Sequence, residues 1–143
     1  MNIEKVSLFR LKIPLKRPYK IATAEMKAFD CTIVALQAEN RQGLGEAMSD
    51  VKGYFWETPE EVWQFAREKG QKILRLATNQ AFHYISGFTR RQPCATTPFL
   101  TAIEMLSGKS ILSPPSATQG VSMVGILQAT EKEEIRTEVK EFI

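Results

Sequence analysis

The sequence has little of the residue types that reactive or cross-linked sites need. His83 is the single histidine, and Cys31 and Cys94 are the two cysteines, neither in a paired-cysteine motif. Any Ser-His-Asp triad or Cys-His pair would have to include His83. Because its neighbours are apolar and aromatic, we expect His83 to be packed or half-exposed rather than catalytic. We expect both cysteines to be buried free thiols.

Long apolar segments are also absent from the sequence. No run reaches the roughly 20 apolar residues that a membrane-spanning helix requires, and Glu4, Lys5 and Arg10 interrupt any signal-peptide core. With 8 glycines and 7 prolines in 143 residues, the composition excludes collagen-like and low-complexity chains. These absences predict a cytoplasmic globular chain without a membrane partner.

The charge is only mildly basic, with 19 lysines and arginines against 16 acidic residues. Basic residues are concentrated near the N-terminus, where they form either a patch for an anionic ligand or the solvent side of a strand; we favour the strand. They are Lys5, Arg10, Lys12, Lys16, Arg17 and Lys20. Because no stacking aromatics are interleaved with them, we expect no nucleic-acid partner.

The N-terminal third is typical of antiparallel strands. Alternating and β-branched residues predict strands over 3–15 and 29–39, and the intervening residues 16–28 have no period and are predicted to form a long loop. A turn over 40–43 leads to a short third strand, 44–49. The first strand is expected to be half-buried through its apolar residues, Val6, Leu8, Leu11 and Ile13.

Helices are expected to follow an aperiodic segment, 50–57. Thr58 and Glu61 form a capping box around Pro59, which predicts a helix running to about Ala77. A short helix is expected around 82–85, and Thr97 and Pro98 are expected to begin another that ends at Gly108. The buried face of the first helix is predicted to contain Val62, Phe65, Ala66, Lys69, Ile73 and Leu76.

A compositional change marks residues 113–120 as a linker. The apolar run 121–128 is typical of a strand covered on both faces in a parallel sheet. Thr130 and Glu133 form a second capping box, and the helix after it is predicted to bury Ile135, Val139 and Phe142. One strand and one helix cannot close a parallel sheet, so we expect its neighbours outside this sequence or in another subunit.

This order of elements resembles the start of an enolase-superfamily enzyme of the muconate-lactonizing and dipeptide-epimerase branch. The motifs that carry the resemblance are IEKVSLFRLKIPLKRPYKIATAEMKAFDCTIVAL, GLGEA at 43–47, PFLTAIEML and VSMVGILQATEKEEI. The resemblance implies an α+β chain in three parts. Residues 1–112 would form the N-terminal capping domain, 113–120 a linker, and 121–143 the first strand-helix unit of an incomplete barrel.

In that family a lysine or histidine removes a proton α to a carboxylate, and a divalent metal, usually magnesium, stabilises the enediolate. The products are those of racemases, epimerases and cycloisomerases. The family's catalytic and metal-binding residues lie on later barrel strands, so the resemblance assigns no catalytic residue, metal ligand or cofactor to this chain. Magnesium and a carboxylate-bearing small-molecule substrate are implied for the whole enzyme.

Two loops of the capping domain close over the barrel mouth in this family and help to select the substrate. They match residues 17–28 and 50–57, which we expect to be mobile. The side chains implied to face a substrate are Tyr19, Thr23, Ala24, Met26, Tyr54 and Phe55; alternatively, these residues only pack at the domain interface. Glu46 is expected to be a buried turn or interface carboxylate rather than a catalytic acid.

Three hypotheses follow for the function. The first is a capping-domain portion of such an enzyme, inactive alone and prone to self-association through its apolar strand. The second is a free-standing binding or interaction module derived from that domain. The third, a small nucleic-acid binder, rests only on the basic N-terminal segment.

Overall fold

The computed structural model describes residues 1–22, 24–49, 56–108, 129 and 131–141. These residues form one antiparallel sheet, in the order β1-β2-β3, and a set of helices. The elements are β1 (Lys5–Ile21), β2 (Ala24–Ala38), β3 (Arg41–Met48), α1 (Pro59–Ile73), α2 (Thr78–Ser86), α3 (Pro93–Ser107) and α4 (Lys132–Glu141). The predicted α+β class and three-stranded meander are confirmed. The predicted linker, 113–120, and apolar strand, 121–128, lie outside the described residues.

The predicted loop over 16–28 is wrong, because β1 and β2 continue through it as a two-stranded ribbon. Tyr19 pairs with Met26 and Ile21 pairs with Ala24, so the two strands stay paired almost to the end of the ribbon. The register shifts between Pro14 and Tyr19, where Pro14 and Pro18 have no N–H to donate to the ladder. The ribbon has a short apolar alternation that the prediction missed, Tyr19-Lys20-Ile21 on β1 and Ala24-Glu25-Met26-Lys27-Ala28 on β2, and its apolar residues are the less exposed ones.

The two faces of the sheet differ from the prediction for the first strand. Val6 and Leu8 point towards α1 and pack against the core. Leu11 and Ile13 have the opposite parity, so they lie with Phe9 on the other face, and all three are 43–50% exposed. The apolar residues of β1 are therefore divided between the two faces of the sheet. Arg10 lies on the face that the helices cover, where it donates to Glu60 of α1.

The second turn is shorter than predicted and lies earlier in the chain. Ala38 pairs with Arg41, so the loop consists of Glu39 and Asn40 rather than residues 40–43. Glu39 adopts a left-handed backbone with φ of 54°. The third strand consequently begins at Arg41, three residues before the predicted start.

Helix α1 begins as the sequence predicts. The Thr58 hydroxyl accepts from the Glu61 N–H, and the Glu61 carboxylate accepts from the Thr58 N–H at 2.8 Å. Its end at Ile73 differs from the predicted end near Ala77. The amide of Arg75 donates to the carbonyl of Ile3, and the amide of Ile3 donates to the carbonyl of Leu76. The N-terminal segment thus takes backbone groups that a longer helix would have used.

The boundaries of α2 and α3 also differ from the predictions. Helix α2 extends from Thr78, four residues before the predicted short helix, and no strong capping side chain marks its start. Helix α3 begins at Pro93 rather than at Thr97, and Pro98 lies inside it. Thr97 does not cap the helix; its hydroxyl donates to the carbonyl of Pro93 at 2.8 Å.

The core lies between the inner face of the sheet and helices α1, α2 and α3. Fully buried Ile3, Leu36, Ile85 and Phe99 are among its members. The predicted inward face of α1 is largely confirmed, with Gly70 buried on it as well. Lys69 is half-buried, and its ammonium lies 4.6 Å from the centre of the Phe88 ring.

Helix α4 presents a different face to the rest of the chain from the one predicted. Ile135 is half-buried as expected, but Val139 is 38% exposed and Glu138 is buried. Thr130 and Phe142 lie outside the described residues. The predicted apolar face of α4 is therefore wrong at Val139, because a carboxylate and not an apolar side chain faces inward.

Candidate functional site at the ribbon tip

The first of the two segments expected to select the substrate is 17–28, and its described residues form the ribbon tip, the end of the β1-β2 ribbon. The specificity residues predicted for this segment therefore belong to the ribbon tip. Tyr19 and Met26 are directly opposite each other in the ladder and therefore share a face. Tyr19 and Ala24 are half-buried and Met26 is only 7% exposed, so Met26 packs within the chain. Thr23 lies outside the described residues. The ladder brings three of the predicted residues together at one end of the sheet.

One ion pair connects this ribbon to α4. Arg17 Nη1 donates to Glu138 Oε1 at 2.5 Å, and the amide of Ala129 donates to Glu138 Oε2 at 3.1 Å. The Glu138 side chain is 7% exposed and that of Arg17 is 48% exposed. A nearly buried carboxylate therefore accepts from a half-exposed guanidinium and from a backbone amide.

An open cleft of about 550 Å³ separates the ribbon tip from α4. Charged side chains of both signs line it: Arg17, Lys20, Glu25, Glu133, Glu134 and Glu138. A cleft with this lining is suited to a small polar or ionised molecule rather than to an apolar one.

The second predicted segment is anchored where it reaches the helices. Glu57 is 5% exposed, and its carboxylate accepts from the amides of Cys94 and Ala95 at 2.7 and 3.0 Å. It thereby caps the first turn of α3 and explains why that helix begins at Pro93. The indole of Trp56 donates to the carbonyl of Arg91. Tyr54 and Phe55 lie outside the described residues.

Both cysteines are thiols rather than halves of a disulfide, as predicted, but only one is buried. Cys31 is buried on β2, whereas Cys94 is half-buried at the start of α3. Burial, assisted by the negative charge of Glu57, raises the pKa of the Cys94 thiol to about 11. Cys94 is therefore a thiol rather than a reactive thiolate at neutral pH.

The remaining candidate residues lie apart from the ribbon tip. Glu46 is exposed on β3 opposite Ile33, so the predicted burial of this carboxylate is wrong in the described part of the chain. The strand alternates, and its inward positions are taken by Gly45 and Ala47. His83 lies on α2 with its side chain exposed, so it is not packed in the core.

Within the described residues, no three histidine, cysteine or carboxylate side chains form a group that could hold a metal ion. The magnesium implied for the whole enzyme therefore has no fitting site among these residues. None of the described helices is long and apolar enough to cross a membrane.

The fold is similar to that of solved enolase-superfamily enzymes. The muconate lactonizing enzyme of Pseudomonas fluorescens, complexed with muconolactone, matches with a TM-score of 0.65 and 22% identity, over 76% of this chain and 31% of its own. The dipeptide epimerase of Enterococcus faecalis, complexed with Mg and L-Leu-L-Tyr, matches with a TM-score of 0.64 and 24% identity, over 76% of this chain and 32% of its own. The dipeptide epimerase of Methylococcus capsulatus, complexed with Mg and L-Arg-D-Lys, matches with a TM-score of 0.63 and 22% identity, over 76% of this chain and 32% of its own.

These comparisons confirm the resemblance at the level of the fold. The chain has the fold of part of an enolase-superfamily enzyme, an antiparallel sheet followed by helices, and it spans less than a third of the length of each of these three structures. No protein-family model and no curated protein matches the sequence.

Two contacts of the site were not predicted from the sequence. Glu57 lies in a segment predicted to be aperiodic, and Glu138 was not among the residues predicted to face inward on the last helix. Each carboxylate contacts a partner that is distant in the sequence. For Glu57 the sequence contains one signal: Pro93, next to its partner Cys94, is typical of the first residue of a helix. Local periodicity carries no signal for the pair formed by Arg17 and Glu138.

Proposed function

We propose that the chain is the capping-domain portion of an enolase-superfamily enzyme, a racemase, epimerase or cycloisomerase that removes a proton α to a carboxylate. The observation that carries the proposal is the fold, which is shared with enzymes of this superfamily at TM-scores of 0.63–0.65. In this proposal residues 1–112 are the capping domain, 113–120 the linker and 121–143 the first strand-helix unit of the barrel. The protein would be cytoplasmic.

The role of the chain in such an enzyme is to help select the substrate. The ribbon tip carries Tyr19, Ala24 and Met26 on one face, and Lys20 and Glu25 on its other face line the cleft shared with α4. The proposal retains Tyr19, Ala24 and Met26 as specificity residues, together with Thr23, Tyr54 and Phe55. The mixed charge of the cleft supports a substrate that carries ionised groups, and the carboxylate that the reaction requires is one of them.

Catalysis itself is assigned to the remainder of the enzyme. Two of the structurally similar proteins are dipeptide epimerases complexed with Mg and a dipeptide, which supports a magnesium-dependent whole enzyme acting on a small carboxylate. Such a metal stabilises the charge that develops on the substrate carboxylate when the α-proton leaves. The chain alone is proposed to be inactive.

The packing of the core favours a second candidate, a free-standing binding module. Among the residues that the structure describes, every member of the main apolar cluster lies between Ile3 and Leu106, and the cluster joins the inner face of the sheet to α1, α2 and α3. A unit with a core of its own has the means to fold without a barrel. It would then bind a ligand without transforming it.

Determining the coding sequence downstream of residue 143 and assaying both forms separates the two candidates. The chain and any longer product are incubated in D₂O with Mg²⁺ and a set of dipeptides and other small carboxylates, and α-deuterium uptake is measured by mass spectrometry. The capping-domain proposal expects chelator-sensitive uptake by the longer product and none by the chain. A stop codon at this point, or no uptake by the longer product, would favour the binding module.

A further inference from the structure

We propose that Glu138 is a positioning residue that holds the ribbon tip against α4 through Arg17 and so sets the width of the cleft between them. The effect on substrate choice rests on the proposed function, whereas the contact can be tested in this chain alone. The residues that form it are 121 positions apart and belong to the two ends of the described chain.

The surroundings of Glu138 separate this contact from an ordinary surface ion pair. The side chain is 7% exposed, and its oxygens accept from Arg17 and from the amide of Ala129. A buried carboxylate loses its hydration, so the loss of a charged partner is costly to it. Arg17 is therefore held at a defined position against α4.

A second pair on the same helix provides the contrast. Arg136 donates to Glu133 at 2.6 Å, but these side chains are 60% and 78% exposed and lie one helical turn apart. Such a pair contributes little and connects no separate elements. Glu133 also lines the cleft, which makes it a matched control for Glu138.

The position of Arg17 in the ribbon explains why the contact controls the tip. The register of β1 and β2 shifts between Pro14 and Tyr19, and Arg17 lies inside this irregular segment. A ladder that is interrupted in this way is the natural place for a two-stranded ribbon to bend. Fixing Arg17 fixes the bend, and with it the direction of Tyr19 and Met26 beyond it.

The cleft geometry follows from the same contact. Arg17 and Lys20 line its ribbon side, and Glu134 and Glu138 line its helix side. Releasing Arg17 from Glu138 frees the ribbon side to move away from the helix side. The cleft then accepts larger ligands, and the side chains at the tip lose their fixed distance from the ligand.

The test is amide hydrogen exchange, measured by mass spectrometry on the whole 143-residue chain. Glu138→Gln keeps the shape and an oxygen acceptor but removes the charge, and Glu133→Gln is the control. We expect exchange over residues 15–28 to rise about threefold to tenfold in Glu138→Gln, with residues 31–38 unchanged. Glu133→Gln should leave both segments as in the unaltered chain.

Rescue distinguishes a specific contact from general loosening. Reversing both charges, Arg17→Glu with Glu138→Arg, should lower exchange over 15–28 below that of Glu138→Arg alone but not to that of the unaltered chain, because arginine cannot accept from the amide of Ala129. Equal effects of Glu138→Gln and Glu133→Gln, or an equal rise over 31–38, would overturn the proposal. If Glu138→Gln does not fold, Arg17→Gln, which removes the cation of the same pair, replaces it, and unchanged exchange over 15–28 in that variant counts against the proposal.

The readout does not depend on enzymatic activity. Inactivity of the longer product would contradict the proposed function and leave the exchange result intact. Unchanged exchange in Glu138→Gln would remove the positioning role and leave the fold-based proposal intact.

Discussion

Gly45 lies so close to Pro98 that a β-carbon on Gly45 would stand 1.9 Å from the carbonyl oxygen of Pro98. Gly43 lies two residues before Gly45 on the same face of β3, and Ala102 lies four residues after Pro98 on α3. A β-carbon on Gly43 would likewise stand 1.9 Å from the carbonyl oxygen of Ala102. Two residues along a strand and four along a helix cover similar distances. The two glycines of the GLGEA segment therefore let a strand and a helix touch along their backbones.

Replacing Gly45 by alanine is expected to destabilise the fold by about 3 kcal/mol, because the clash is with helix backbone that cannot rotate away. Urea unfolding of Gly45→Ala measures the loss. Gly87→Ala is the control, since its β-carbon would meet the carbonyl oxygen of Tyr84 at an ordinary 3.4 Å. A loss of stability in Gly45→Ala no larger than in Gly87→Ala would contradict the close-contact interpretation.

Predictions from the sequence succeeded where neighbouring residues decide the structure. The box formed by Thr58 and Glu61 spans three positions and starts α1 where expected. The end of α1 depends on the backbone of Ile3, which is far away in sequence. The ribbon tip was missed because its alternating segments, 19–21 and 24–28, are short, and the pairing that joins them adds no further local signal.

The candidate site was predicted only in part. The resemblance indicated Tyr19, Ala24 and Met26, and the ladder brings them together, but no pattern indicated that Arg17 would meet Glu138. The contribution of α4 to the cleft arises from tertiary packing. A charged residue on a helix looks solvent-exposed until the element that covers it is known.

Acid should weaken the start of α1. Hydrogen bonds from the backbone and side chain of Thr58 hold the pKa of Glu61 below its ordinary value of 4.5. A lowered pKa contributes stability that is complete above the ordinary value and is lost as the pH falls through the lowered one. Glu61→Gln should therefore be less stable than the unaltered chain at pH 7, and the difference should shrink below pH 4.5.

Urea unfolding of both proteins at a series of pH values checks this expectation. The unaltered chain should lose its advantage over Glu61→Gln in the acid range, because protonated Glu61 no longer accepts as a carboxylate. A difference that stays constant from pH 7 to pH 3 would show that the carboxylate charge does not stabilise this helix start.

Cys94 should react slowly with alkylating reagents. Its pKa of about 11, against an ordinary value of 9.0, lowers the thiolate fraction at pH 8 about a hundredfold. Glu57→Gln should recover part of the reactivity, because it removes the negative charge but leaves the thiol half-buried. Iodoacetamide labelling, with peptide mapping to separate Cys94 from Cys31 and unfolded protein as the reference, measures the rates. Labelling of Cys94 in the folded chain at the unfolded rate would refute the raised pKa.

The outer face of the sheet should drive self-association of the chain. Phe9, Leu11 and Ile13 are 43–50% exposed and follow one another along β1. Directly opposite them on β2 are the half-buried Ile33 and Phe29, which extend the same apolar face, and Cys31, which is already buried. A contiguous apolar face of this kind lowers its free energy by packing against another copy. Sedimentation velocity over a range of concentrations should show species larger than the monomer.

Replacing Leu11 and Ile13 together by threonine should weaken that association, because threonine keeps the strand preference while adding a hydroxyl to the face. Leu74→Thr is the matched control: Leu74 is 42% exposed, like the other two, but it lies at the end of α1 on the helical side. The expected result is a shift towards monomer in the double variant and none in the control. Association that persists in the double variant would remove the outer face as its cause and leave the apolar run at 121–128 to be tested next. A stable monomer of the unaltered chain at high concentration would contradict self-association itself.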